Sequence, residues 1–206
     1  MTASTAAAPG TTPWQEHYAH PGTWDMAFAP LTLPAMFAQS AAAHGDQPLV
    51  DFMGRAFSYS DLHAEARAFA AGLQRLGVIK GDRIGLYLPN VPIYVSAYYG
   101  AMLAGAVVVN FSPLYTADEL AAQVADSGAR LLVTIDSAAL LPTAITVLET
   151  SALEQLIVGS LAAMLPLAKG LALRLLGRKS LTRIPARPDV LRWEEALAST
   201  DPPPGA

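Results

Sequence analysis

Hydrophobic positions along this chain follow two spacings that alternate. In some segments apolar residues recur every three or four positions, which predicts helices with one buried face. Between these segments lie short, nearly continuous apolar runs, which predict strands buried on both faces. The predicted helices cover residues 32–44, 60–76, 90–102, 116–127 and 137–148. The predicted strands cover residues 48–53, 56–59, 83–88, 106–109, 130–135 and 156–158.

Polar residues at the helix starts define the predicted boundaries. Thr32, Ser60 and Asn90 each precede a helical stripe and are predicted to be N-caps. Thr116 and Glu119 have the spacing of a capping box, in which the hydroxyl and the carboxylate each accept a hydrogen bond from a free backbone amide. The segment after Thr116 is therefore the helix whose start is best specified by the sequence.

No charged residue occurs between positions 85 and 117. Such a run is long enough to cross a membrane, but Pro89, Pro92 and Pro113 interrupt it, and residues 107–109 are β-branched. We expect a buried helix followed by a buried parallel strand. Three tyrosines of this helix are predicted to be core aromatics, namely Tyr94, Tyr98 and Tyr99.

The order of the elements predicts the fold class. Strands alternate with helices four times between Ser60 and Gly159, which indicates an α/β fold with a parallel sheet flanked by helices. Three regions are expected. Residues 1–30 form a flexible N-terminal tail, residues 31–159 an α/β subdomain, and residues 160–206 a basic helical segment followed by a Pro-rich linker.

Composition narrows the classes of function. Of 206 residues, 52% are hydrophobic and 15% are charged, and the formal net charge of −4 gives no general attraction to nucleic acid. The absence of cysteine excludes disulfides and thiolate metal sites, and the four histidines lack ligand spacing, so no metal site is predicted. The N-terminus has neither the basic nor the apolar region of a secretory signal, and a cytoplasmic location is expected.

One segment is strongly basic. Residues 161–187 hold six of the thirteen Lys and Arg residues, no acidic residue and several leucines. Two interpretations remain open. The segment is a basic helix that packs on its own enzyme and faces water, or it lies against an anionic bilayer as a peripheral contact on the inner face of the membrane.

The best local site prediction is the loop after the strand at 106–109. Asn110, Pro113, Leu114 and Tyr115 follow this strand, and α/β sheets bind ligands at the carboxyl ends of their strands. The alternative is an ordinary turn. The sequence has no G-x-G-x-x-G after a strand, no G-x-x-x-x-G-K-[ST] and no G-x-S-x-G. No catalytic residue is therefore predicted.

An ordered series of short motifs resembles one known family. The motifs are FSYSDL at 57–62, LGVIKGDRI at 76–84, LPN at 88–90, AGAVVV at 104–109, NFSPLYTADEL at 110–120 and DSGA at 126–129. In this order they resemble the opening of adenylate-forming (AMP-binding) acyl-CoA synthetases, and most closely that of bacterial long-chain fatty-acid–CoA ligases. The resemblance extends over about residues 31–197, nearly the whole chain outside its two ends.

The resemblance implies a function for a longer parent protein. It implies ATP-dependent activation of a fatty acid to an acyl-adenylate and then to acyl-CoA, with ATP, Mg²⁺ and coenzyme A as cofactors, and a fold that is the N-terminal, incomplete portion of the large domain. The family's phosphate loop, magnesium-binding glutamate and C-terminal lysine have no match here. No catalytic residue is carried over, and this chain alone is expected to be inactive and to bind none of these cofactors.

Two further expectations concern the chain by itself. A stand-alone lipid- or membrane-surface-binding module without catalysis is the alternative function, suggested by the basic segment 161–187. A parallel sheet with an unpaired edge would also favour a homodimer or aggregation.

Overall fold

The computed structural model describes residues 17, 19, 22, 26–177 and 179–197. The chain divides into two units, Met1–Leu31 and Thr32–Ala206. In the first unit, residues 26–31 are exposed and have no regular secondary structure. Most of the predicted tail 1–30, and the Pro-rich linker after residue 200, lie outside the described residues. All helices and strands below belong to the second unit.

Eight helices and seven strands occur among the described residues. The helices are α1 (Leu33–His44), α2 (Tyr59–Arg75), α3 (Pro92–Leu103), α4 (Ala117–Ser127), α5 (Leu141–Thr150), α6 (Leu161–Met164), α7 (Leu167–Leu176) and α8 (Trp193–Leu197). The strands are β1 (Pro48–Phe52), β2 (Arg55–Ser58), β3 (Arg83–Tyr87), β4 (Val107–Phe111), β5 (Leu131–Ile135), β6 (Gln155–Gly159) and β7 (Val190–Arg192).

The strands form a hairpin and one parallel sheet. β1 and β2 pair antiparallel. The other five strands are all parallel and lie in the order β4-β3-β5-β6-β7. α2, α3 and α8 pack together, and α4 packs on α5. Because parallel crossovers are right-handed and the chain reverses direction across the sheet after β4, these two helix groups cover opposite faces. The prediction of an α/β fold with a flanked parallel sheet is confirmed.

The core lies between the sheet and these helices. Strand β5 is buried along its whole length, as expected for a central strand with both faces covered. The uncharged run 85–117 contains α3 and β4, so the prediction of a helix followed by a parallel strand is confirmed. The prediction that this strand is buried was wrong, because β4 lies at the edge of the sheet and only Phe111 of its residues is buried. Within the described ranges, no helix combines the length and the apolar character needed to cross a bilayer.

Several boundaries differ from the prediction for local reasons. The N-cap of α2 is Ser58 and not Ser60, since Ser58 and Asp61 form a capping box. The N-cap of α3 is Val91 and not Asn90, and Pro92 occupies the first turn. In both places the prediction of the cap was wrong by one or two residues.

The helix predicted over 137–148 is α5, Leu141–Thr150. The hydroxyl of Ser137 accepts a hydrogen bond from the amide of Ala139, and Ser137 forms an antiparallel bridge with Leu181. These contacts hold 137–140 in a turn that delays the helix. Strand β7 was not predicted at all. Residues 160–206, predicted to be a helical segment and a linker, therefore also supply a strand to the sheet.

Two motifs of the resemblance meet at the amino end of the sheet. Arg130, which follows the DSGA motif, binds Asp82 of the GDR motif at 2.6 Å and Glu154 at 2.7 Å. Asp82 also accepts a hydrogen bond from the amide of Ile79 at 3.0 Å. These contacts join the starts of β3, β5 and β6. The two motifs thus have a structural role that accounts for their residues without a ligand.

Candidate functional site

The predicted site residues lie together at the carboxyl end of β4. Asn110 belongs to the strand itself, opposite Leu86 of β3, so it is not a loop residue as the sequence suggested. The loop proper begins at Ser112, whose hydroxyl accepts a hydrogen bond from the amide of Leu114 and whose carbonyl accepts one from the amide of Tyr115. These two bonds fix the turn that carries Pro113 and Leu114.

Two tyrosines hold this edge in place. The buried hydroxyl of Tyr87 donates to the carbonyl of Tyr115 at 3.2 Å, which ties the loop to β3. Tyr94 of α3 donates to the Oδ1 atom of Asn110 at 2.9 Å. Burial raises the pKa of both Tyr87 and Tyr94, so both phenols keep the proton that they donate.

The chemistry that remains at this edge is limited. Oδ1 of Asn110 accepts a hydrogen bond from Tyr94, and the side-chain amide nitrogen of this exposed residue donates none within the described part of the chain, so it can donate to a ligand. Leu114 is 88% exposed and offers an apolar contact. Neither group can act as a nucleophile or transfer a proton at neutral pH. Asn110, Pro113, Leu114 and Tyr115 therefore remain a predicted contact surface for a substrate.

The three tyrosines of α3 are half-buried. Tyr94 and Tyr98 pack against the main core, and Tyr99 stacks on Phe37 with ring centroids 4.2 Å apart. Burial and the neighbouring Tyr98 raise the pKa of Tyr99. These contacts fit the predicted role as core aromatics, although Tyr94 also reaches the candidate site through Asn110.

The topology points to a second position, which the sequence analysis missed. The connection after β3 leads to β4, at one edge of the sheet, and the connection after β5 leads to β6, towards the opposite edge. The point at which the strand order reverses therefore lies between β3 and β5. At the end of β5 the buried hydroxyl of Thr134 has no hydrogen-bond partner. Asp136, only 8% exposed, accepts a hydrogen bond from the amide of Leu161 at 2.7 Å.

Burial raises the pKa of Asp136, and the hydrogen bond from Leu161 opposes that rise. The sequence signal that could have indicated this position is Thr134 within the apolar run LLVTI, followed directly by Asp136. A polar residue that follows a buried parallel strand points to the carboxyl edge of the sheet, where ligands bind.

The described residues contain no group of three or more His, Asp or Glu side chains that could hold a metal ion. His17 and His44 are exposed, His63 packs its ring edge-on against Phe37, and burial lowers the pKa of His63. His20 lies outside the described residues.

Comparison with known proteins gives a consistent result. The family described as AMP-binding enzyme matches residues 37–183. The long-chain-fatty-acid–CoA ligase of Bacillus subtilis (strain 168) is 34% identical over 159 residues, which are 77% of this chain and 28% of that protein. The long-chain-fatty-acid–CoA ligase of Escherichia coli O6:H1 is 37% identical over 169 residues, which are 81% of this chain and 30% of that protein.

Two solved structures share the fold. A benzoate CoA ligase from Burkholderia xenovorans LB400 superposes with a TM-score of 0.63 at 22% identity, over 84% of this chain and 29% of that one. A coronafacic acid ligase from Pectobacterium brasiliense superposes with a TM-score of 0.63 at 20% identity, over 82% of this chain and 29% of that one. The chain thus spans less than a third of the length of these relatives, and its fold corresponds to part of theirs.

Proposed function

The chain belongs to the AMP-binding enzyme family, and we propose that it forms the amino-terminal part of a long-chain fatty-acid–CoA ligase. The observation that carries this proposal is the 34–37% identity to long-chain-fatty-acid–CoA ligases over about four fifths of the chain. The whole protein would convert a fatty acid to its acyl-CoA with ATP, Mg²⁺ and coenzyme A. It would act in the cytoplasm or on the inner face of the membrane.

This chain would contribute scaffold and one contact surface to that reaction. The parallel sheet fixes the loop at 112–115 through Tyr87, and the exposed Leu114 suits contact with an acyl chain. The sequence has no phosphate loop, and the described residues have no metal-binding cluster. The 206 residues alone therefore would not activate a fatty acid.

Pyrophosphate release tests this assignment. The gene product that contains this chain, purified at its native length, is expected to release pyrophosphate from ATP when palmitate is present and to form palmitoyl-CoA when coenzyme A is added. The 206-residue chain is expected to release none. A folded native product that gives no pyrophosphate with fatty acids of any length would contradict the ligase assignment, and release by residues 1–206 alone would contradict their inactivity.

The role of the loop is tested in the same native product. Leu114→Ser is expected to raise the KM for palmitate with little change in kcat, because it removes a binding contact and no reacting group. Ile79→Ser is the matched control, since Ile79 is also an exposed apolar residue, 68% accessible, in a turn at the opposite end of β3. Equal effects of the two substitutions would argue against a substrate contact at Leu114.

We also propose a peripheral membrane contact through α7. Leu167, Leu171 and Leu175 recur every fourth residue on one face of this helix and are 91%, 56% and 64% exposed. Arg174 and Lys179 are exposed beside them and would meet anionic headgroups. Lys169 instead donates to the carbonyl of Met53 at 2.6 Å, and Arg178 lies outside the described residues.

Flotation with anionic vesicles checks this contact. The double variant Leu171→Ser/Leu175→Ser is expected to lose most of the bound fraction, since it removes the apolar face that would enter the headgroup region. Lys179→Glu is expected to weaken binding in a salt-dependent way. Ile79→Ser, away from α7, should leave binding unchanged. Vesicle binding that survives both changes would rule α7 out as the contact.

A further inference from the structure

Beyond the candidate loop, a second pocket opens at the carboxyl ends of β5, β6 and β7. Its volume is about 370 Å³. Three arginines from three different elements line it, one on α7, one in the segment before β7 and one at the end of β7. The polar lining residues are Arg174, Arg183, Arg192, Asp136, Ser160 and Thr182.

The positive charge of this pocket is not neutralised within the described part of the chain. The ion pairs found there involve Arg130 and Arg187, and none involves Arg174, Arg183 or Arg192. Asp136 is the single acidic residue of the lining, and its carboxylate accepts a hydrogen bond from the backbone amide of Leu161. Three guanidinium groups against one carboxylate leave an excess of positive charge.

One other carboxylate lies near Arg192. The Oε2 atom of Glu195 accepts a hydrogen bond from the backbone amide of Arg192 at 2.7 Å. Glu195 lines a neighbouring opening together with Pro185 and Leu191, and Arg192 borders that opening as well. The carboxylate of Glu195 caps the start of α8, and no ion pair joins it to the guanidinium group of Arg192 within the described part of the chain.

The backbone around the pocket is held firmly. The amide of Thr182 donates to the carbonyl of Asp136 at 2.8 Å, and the amide of Ala138 donates to the carbonyl of Ser180 at 3.0 Å. Arg192 ends β7 in register with Val158 of β6. Gly170 of α7 sits directly on the carbonyl of Ala162 in α6, where any side chain would clash. Each arginine thus projects from an element whose position is fixed by packing or by hydrogen bonds.

We propose that this pocket binds a phosphate group. Guanidinium groups recognise phosphate oxygens with paired hydrogen bonds. The three arginines and the one carboxylate of the lining carry a net charge of about +2, which would balance a doubly charged phosphate. The pocket lies at the carboxyl edge of a parallel sheet, where such folds bind ligands. The inference is independent of the ligase assignment, because it uses only these residues.

The phosphate has two possible sources. It is free in solution, or it belongs to a lipid headgroup. Arg174 borders both this pocket and an adjacent, mostly apolar groove that Leu165, Leu167 and Leu171 line. A phospholipid could place its phosphate among the arginines and part of its chain in the groove.

Titration of the 206-residue chain tests the proposal. Calorimetry measures the binding of inorganic phosphate and of pyrophosphate, which represent the phosphate that is free in solution. Flotation with phosphatidylcholine vesicles, with and without phosphatidic acid, measures binding to a lipid headgroup. Arg183→Gln and Arg192→Gln are each expected to weaken binding about tenfold or more, the usual size of a lost charge-assisted hydrogen bond. Higher salt should weaken it further.

Arg67→Gln is the matched control. Arg67 is an exposed arginine of α2, and its loss changes the net charge by the same amount. It is expected to change binding less than twofold. Binding to either phosphate source that depends on Arg183 and Arg192 supports the pocket and identifies the source. Absence of binding to both, or an equal loss with Arg67→Gln, overturns the proposal. The substituted residues are exposed, and circular dichroism verifies that each variant folds.

Discussion

At the scale of single residues, the start of α2 depends on one hydroxyl and one carboxylate. The hydroxyl of Ser58 accepts a hydrogen bond from the backbone amide of Asp61 at 3.1 Å, and the carboxylate of Asp61 accepts one from the backbone amide of Ser58 at 3.3 Å. Each bond satisfies a backbone amide that the helix itself cannot. Ser60 lies two residues later, inside the first turn, and its hydroxyl caps nothing. Two serines of the same motif therefore have different energetic roles.

This difference predicts a stability contrast. Ser58→Ala is expected to lower the free energy of unfolding by about 1 kcal/mol, the typical cost of a lost N-cap. Ser60→Ala is its matched control and is expected to stay within about 0.5 kcal/mol, as surface substitutions usually do. Urea denaturation followed by circular dichroism measures both. A larger loss at Ser60 than at Ser58 would show that the helix begins where the sequence alone suggested.

At the scale of elements, the best predicted parts are those with strong local signals. The capping box at Thr116 and Glu119 was confirmed because both partners are three residues apart in the chain. Strand β7 escaped prediction because it has only three residues and is defined by its pairing with β6, about 35 positions earlier. The turn at Ser137 depends on Leu181, which lies even further away in sequence, 44 positions later. Long-range partners of this kind leave no local pattern.

The same limit applies to the candidate sites. Asn110 and Tyr115 were predicted as site residues because they follow the apolar run at 106–109. Their anchors, Tyr94 and Tyr87, come from other elements and could not be assigned to the site beforehand. The arginine pocket draws Arg174, Arg183 and Arg192 from three elements, one of them β7. The sequence shows that the segment is basic, but only the fold brings these three residues to one opening.

A close contact between α2 and α8 gives a prediction at this scale. A Cβ atom on Gly72 would lie 1.8 Å from the carbonyl oxygen of Ala196, so the two helices can meet only at a glycine. Gly72→Ala is expected to destabilise the chain by about 1–3 kcal/mol, as overpacking does. It should also loosen Trp193, which stacks on Phe69 at 4.5 Å and donates to Glu65.

Iodide quenching of Trp193, with Trp14 and Trp24 replaced by Phe, reports this loosening. Greater quenching in Gly72→Ala than in the parent is the expected result. Ala64→Ser, a small addition at an exposed position of the same helix, is the control and should change neither quenching nor stability. Unchanged quenching in Gly72→Ala would mean that α8 adjusts without leaving α2.

At the scale of the whole molecule, the sheet has two edges within the described residues. β7 is three residues long, which limits the number of backbone hydrogen bonds that it can form with a further strand. β4 is longer, pairs only with β3, and carries three consecutive valines, of which Val107 is 50% exposed. An unpaired, apolar edge of this kind is a template for pairing with a second copy of the chain. The homodimer expected from the sequence would therefore form through β4.

This edge gives the last prediction. The 206-residue chain is expected to self-associate in sedimentation-velocity experiments, increasingly so at higher concentration. Val107→Lys should shift it towards the monomer, because a charged side chain at the edge would be buried without a partner on pairing. Ile79→Lys introduces the same charge at an exposed turn and should leave association unchanged. A chain that stays monomeric at all concentrations, or two variants that behave alike, would mean that β4 is not the pairing surface.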